Sequence, residues 1–306
     1  MRTATSPMAK LLDGLRAESA AAVEQGQRII LAPFVRVRDR PVLVLGNHKA
    51  GTSAIAGLLG ALTGETVALE LRRELKRDRY RAVHEGRQPF AKLVAHNKVD
   101  FSRMIIKENH FSTMPDRVTA YFPESPVVMV TREPRDNIRS LLNRLRIPGN
   151  LDVIPAELWR SVPDVWKLVL DGRWLGLTYE DYIEQLALRW SLIADSYLAN
   201  SDRWVLQRYE DFQADKLGQL TELAGAVGLT PRRDISSSLE FSFQPAGDRS
   251  VSWEDFYGER NLETIERVCG AQMSRLGYPL ARIRGRVESL EPALEKGFRA
   301  AAGGGE

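Results

Sequence analysis

Apolar residues along this chain fall into two kinds of run, and the two kinds alternate. Short unbroken runs suit strands buried on both faces: Val42 to Leu45, Thr66 to Leu71, Arg103 to Lys107, Pro126 to Val130 and Trp204 to Gln207. Between them apolar residues recur at helical spacing. Ile55, Leu58, Leu59 and Leu62 make one such stripe, Ile138, Leu141, Leu142 and Leu145 a second, and Ile183, Leu186, Trp190 and Ile193 a third. An earlier stripe over residues 9–27 carries Leu11, Leu12, Leu15 and Ala22. This strand–helix rhythm predicts an α/β protein, a three-layer sandwich with a central, mostly parallel five-stranded sheet. The expected organisation is a helical arm over residues 1–34, one α/β domain over 35–282, and a C-terminal helix with a flexible tail over 283–306.

Parallel sheets of this kind bind ligands beyond the carboxyl ends of their strands. The first strand end reads GNHKAGTS, from Gly46 to Ser53. Gly46 and Gly51 let the backbone turn tightly, and Thr52 and Ser53 stand where the helix begins, so the loop presents N–H groups and a positive dipole end to an anion. Gly46 and Gly51 keep the spacing of the nucleotide-triphosphate loop G-x4-G-K-[ST], but its lysine position is Thr52 and the lysine lies inside the loop as Lys49. The strand Val127 to Val130 runs into Thr131 and Arg132 where such proteins keep a magnesium-binding Asp. A phosphate loop without its metal apparatus points to a nucleotide whose phosphate chain is not the group transferred.

The fourth strand end reads TREPRDNIRS. Pro134 suits a first helical turn, and Arg132 and Ser140 bracket it. A guanidinium and a hydroxyl so placed can grip one phosphate from two sides. Charge adds little: 43 basic against 40 acidic residues leave +3, which gives no nucleic-acid stripe. A single cysteine, Cys269, excludes an internal disulfide and fits a reducing, cytoplasmic setting. No apolar run approaches the length of a membrane span.

Taken together, KAGTS after the first strand, VTREPRDNIRS after a later one, RWVLQRYEDF, and a helix ending RLGY resemble the sulfotransferases that use 3′-phosphoadenosine 5′-phosphosulfate (PAPS). The resemblance spans roughly residues 40–280. It implies a PAPS co-substrate and a 3′-phosphoadenosine 5′-phosphate (PAP) product, with no metal. Carried over by position, Asn47, His48, Lys49, Ala50, Gly51, Thr52 and Ser53 form the 5′-phosphosulfate loop, and Arg132 and Ser140 hold the 3′-phosphate. Tyr209 matches a residue near the adenine, or else packs in the core. Two departures stand out: Ala54 occupies the place of a frequent tryptophan, and GDRSVSW replaces the C-terminal basic-glycine motif, leaving Arg249 as a candidate 3′-phosphate ligand.

The reaction so implied is in-line transfer of a sulfuryl group to a hydroxyl or amine, with Lys49 stabilising the leaving phosphate. Two residues compete for the role of base. His110 follows the third strand, three residues after Lys107, and has an intrinsic pKa suited to neutral pH. Glu70, after the second strand, would serve if burial raised its pKa. Residues 147–178 carry Trp159, Trp166 and Trp174 and are the expected acceptor lid, suited to a glycan or small-molecule acceptor. His48, His84 and His96 have no partners at ligand spacing, and the helix over 179–200 reads as purely structural. A magnesium- and ATP-dependent kinase and a non-catalytic nucleotide binder are the alternatives.

Overall fold

The computed structural model describes residues 32–71, 74, 78–240 and 251–280. The helix expected over 9–27, the candidate ligand Arg249 and the tail over 283–306 lie outside the described residues.

Strands β1 (Val42–Gly46), β2 (Val67–Ala68), β3 (Ile105–Lys107), β4 (Val127–Thr131) and β5 (Val205–Arg208) form one sheet. Every pairing is parallel, in the order β2-β3-β1-β4-β5. The long helices are α1 (Thr52–Thr63), α2 (Pro134–Leu145), α3 (Tyr182–Leu198), α4 (Lys216–Ala226) and α5 (Trp253–Arg275). Alternation along the central strands divides the interior in two. Val42, Val44, Val128 and Val130 pack with Ile55, Leu59, Leu220 and Leu223 of α1 and α4. Leu43, Leu45, Val127 and Met129 face the other way, onto a cluster with Tyr80, Phe101 and Phe111. A third cluster joins α2, α3 and α5 through Ile138, Leu142, Ile183, Trp190, Ile265 and Met273.

The second strand is shorter than the stretch 66–71 its pattern suggested. The chain leaves the ladder after Ala68, and the Leu71 N–H is taken instead by the buried Glu108 carboxylate at 3.1 Å. A side chain 37 residues away thus replaces the ladder acceptor. The third strand starts at Ile105 rather than Arg103, while β4 and β5 each run one residue further than expected. Helix starts follow their caps: Glu133 accepts from Asp136 N and is followed by Pro134, and Asp181 accepts from Ile183 N and Glu184 N.

Successive connections from β1 run to β2 and β3 on one side, and β4 and β5 lie on the other. The strand order therefore reverses beside β1. The loops that follow β1 and β4 open into the crevice at that switch point.

Candidate active site

The loop after β1 is built around unusual backbone. Gly46 has φ 152°, Lys49 φ 70° and Gly51 φ 98°. A methyl group on Gly46 would collide with the Val130 carbonyl, and one on Gly51 with the Tyr209 ring. Lys49 is a non-glycine residue in left-handed space, a conformation that costs about 1–3 kcal/mol and persists where the surroundings impose it.

Those surroundings come from the β4–α2 segment. Asn47 Nδ2 donates to Asn137 Oδ1 at 2.9 Å, and Asn137 Nδ2 donates back to the His48 carbonyl at 2.9 Å. Arg132 Nη1 donates to the Lys49 carbonyl at 3.1 Å. From below, Gly46 N donates to Ser112 Oγ at 2.8 Å. The cap residue Gly51 has no side chain to satisfy the first turn of α1, so the N–H groups of Thr52 and Ser53 lie in that turn without an intrahelical acceptor.

Arg132 is buried and lies over the Tyr209 ring, 4.7 Å from its centroid. Trp190 Nε1 donates to its carbonyl at 2.9 Å. Ser140 is half-buried on α2. Burial, then the charges of Arg144 and Arg132, lower the Lys49 pKa to about 8. Lys49, Arg132 and Arg144 thus concentrate positive charge beside an open helix N-terminus.

The two candidate bases have unlike environments. Glu70 has a 43% exposed side chain and accepts from Lys107 Nζ at 3.1 Å. The burial that base chemistry would require of it is missing. His110 is buried, stacked on Tyr80 with ring centroids 4.2 Å apart, and among the described residues neither of its ring nitrogens has a hydrogen-bond partner. Burial, then the charges of Arg189 and Lys107, hold its pKa well below the usual histidine value. It is a neutral imidazole at physiological pH. Tyr80 OH donates to Glu108 Oε2 at 2.7 Å, and Glu108 Oε1 accepts from His110 N at 3.1 Å, which fixes the ring's neighbour and its backbone together.

His48 is not the ordinary histidine its spacing suggested. Its ring meets His110 edge-on at 4.9 Å and Trp166 at 5.5 Å. The 147–178 segment therefore touches the loop: Trp166 reaches His48, and Trp159 and Trp174 line a cleft of about 330 Å³ with Tyr80, Asp78, Asp164 and Leu168. Trp174 is buried, its Nε1 donating to the Leu168 carbonyl at 2.8 Å, and its ring meets His84 edge-on at 5.1 Å. Sequence reasoning also passed over Arg189, which α3 carries into the interior beside both histidines. The signal was available, since Arg189 falls among Leu186, Trp190 and Ile193 on an otherwise apolar stripe.

No family model matches the chain, and no curated protein matches it. It is similar to solved sulfotransferase structures. One from Mycobacterium tuberculosis superposes with TM-score 0.46 at 17% identity, covering 80% of each chain. One from Alicyclobacillus acidocaldarius gives 0.47 at 14%, covering 80% of this chain and 99% of that one. A mouse sulfotransferase complexed with PAP gives 0.46 at 12%, covering 88% and 92%. Among the described residues, no helix is long and apolar enough to cross a membrane, and no group of three or more His, Cys, Asp or Glu could hold a metal ion.

Proposed function

We propose that this chain is a PAPS-dependent sulfotransferase. The observation that carries this reading is the contact between the two anion clamps, Arg132 Nη1 on the Lys49 carbonyl. The contact joins the phosphate loop to the β4 end, which supports both of them gripping one doubly phosphorylated adenosine. The N–H groups of Thr52 and Ser53, with Gly51 at the cap, would take the 5′ end; Arg132 and Ser140 would take the 3′-phosphate. Tyr209, between Gly51 and Arg132, would border the nucleotide.

The acceptor oxygen or nitrogen attacks sulfur as the bond from sulfur to the 5′-phosphate oxygen breaks in line. His110 takes the acceptor's proton, and Lys49 meets the charge that builds on the departing phosphate. His110 is favoured over Glu70 because its ring is neutral and its nitrogens are unpaired, whereas Glu70 is tied to Lys107. The acceptor, a carbohydrate or small metabolite, would enter by the cleft under Trp159 and Trp174, whose flat rings suit sugar faces.

Saturating PAP at about 100 times its dissociation constant should stabilise the protein by about 2.7 kcal/mol without magnesium. Melting curves with PAP, and with ATP plus magnesium, test this. No response to PAP, or a far larger one to the magnesium nucleotide, overturns the reading.

A further inference from the structure

Arg189 is fully buried, and none of Nε, Nη1 or Nη2 makes a hydrogen bond among the described residues. It sits on α3 one residue before Trp190, whose indole reaches the Arg132 carbonyl, and two turns before Ser196, whose Oγ donates to the Ser112 carbonyl at 3.0 Å. The same helix thus braces the β4 end and the segment under the phosphate loop, and it delivers the guanidinium. The helix packs against the 109–113 segment that carries His110, whose ring meets His48 edge-on at 4.9 Å, and the charge of Arg189 acts on both rings. Among the described residues, Nδ1 of His48 and both ring nitrogens of His110 are also buried without hydrogen bonds. The carboxylates around them are already used: Glu70 pairs with Lys107, and Glu108 serves Tyr80, Leu71 and His110 through their O–H and N–H groups.

A buried guanidinium with no counter-charge is among the least favourable groups a fold can retain. Side chains that break the rules of burial in this way collect where a ligand completes them. The planar fork of an arginine matches an oxyanion, and neutral imidazoles supply further hydrogen bonds around it.

We propose that Arg189, His110 and His48 form a buried oxyanion pocket on the acceptor side of the phosphate loop. Its occupant is either the sulfuryl group of the donor or a carboxylate or phosphate carried by the acceptor. The proposal deepens the sulfotransferase reading and rests on it for the identity of the donor. Loss of positive charge from the unliganded pocket relieves the fold, which separates a binding arginine from a structural one.

Three measurements on the full chain test it. Arg189→Met should raise the melting temperature of the unliganded protein by at least about 2 °C. If the sulfuryl group fills the pocket, wild type binds PAPS at least tenfold tighter than PAP, and Arg189→Met removes that difference while leaving PAP affinity intact. If the acceptor's anion fills it, benzoate or inorganic phosphate binds the PAP-saturated wild type and not the variant. The proposal is overturned if Arg189→Met changes neither the PAPS-to-PAP ratio nor anion binding, or if Arg189→Met and Arg189→Lys both melt lower or fail to fold. Should PAP itself not bind, the donor reading falls alone. Benzoate titrations of Lys49→Ala with and without Arg189→Met then decide the pocket by themselves.

Discussion

Arg132 Nη1 donates to the Lys49 carbonyl across 3.1 Å, joining two segments 83 residues apart in the chain. The bond fixes the lysine's backbone, at φ 70°. Arg132→Ala should weaken PAP binding by about 10- to 100-fold, the loss of one charge-assisted contact, with the far-ultraviolet spectrum unchanged. Calorimetric titration of both proteins checks this; equal affinities would separate Arg132 from the nucleotide.

Lys49 supplies a pH test. Its pKa in the unliganded protein is lowered to about 8, and a bound phosphate would raise it again. PAP affinity should therefore be full below pH 8 and fall by up to about tenfold per unit above it, as the lysine loses its proton before binding. Binding near pH 8 should take up protons, visible as a buffer-dependent heat. Lys49→Arg should flatten the profile, because a guanidinium does not titrate there.

The base assignment separates in kinetics. His110→Ala should lower kcat by about 100- to 10,000-fold, and Glu70→Gln by far less. Lys49→Ala should cost about 100- to 1000-fold in kcat. Steady-state rates for the three variants with one acceptor suffice, and a large loss for Glu70→Gln alone would transfer the role to that carboxylate.

The histidines also make stability depend on pH. Burial lowers the pKa of His48 and of His110 in the folded state, so the unfolded chain binds protons first as pH falls through about 6.5. Each should remove up to about 1.4 kcal/mol of stability per pH unit below that point, until its own folded pKa is reached. Urea unfolding at pH 6.5 and 5.5 should show this, and the double variant His48→Gln/His110→Gln should lose most of the slope.

Gly51 is where packing and backbone agree. At φ 98°, with the Tyr209 ring against its Cα, Gly51→Ala should cost about 1–3 kcal/mol. Adding Tyr209→Ala should relieve the collision and leave the dihedral cost, measurable as partial recovery of the urea midpoint.

The first strand, its loop and α1 were legible because every signal there is local: four apolar residues, two glycines at fixed spacing, then a helical stripe. The parallel sheet was legible for the same reason, from the alternation of strand and helix patterns. What escaped was set by contacts between distant segments. β2 stops at Ala68 because a carboxylate from beyond β3 claims the Leu71 N–H. His48 looked unremarkable because its neighbours, His110 and Trp166, are brought to it by the fold rather than by spacing. Arg189 was hidden in a helix read for its apolar face alone, although a charge within such a face is itself a signal. Which tryptophan of residues 147–178 reaches the loop was not legible either, because it depends on how two short helices pack.

Asn47 donates its amide to Asn137, Asn137 donates in turn to the His48 carbonyl, and neither side chain carries charge. Rigidity is therefore obtained without placing a carboxylate beside the anionic guest proposed for the loop. Replacing either with aspartate would keep the shape of the brace and set it against its occupant, so two uncharged amides let a stiff loop remain an attractive one.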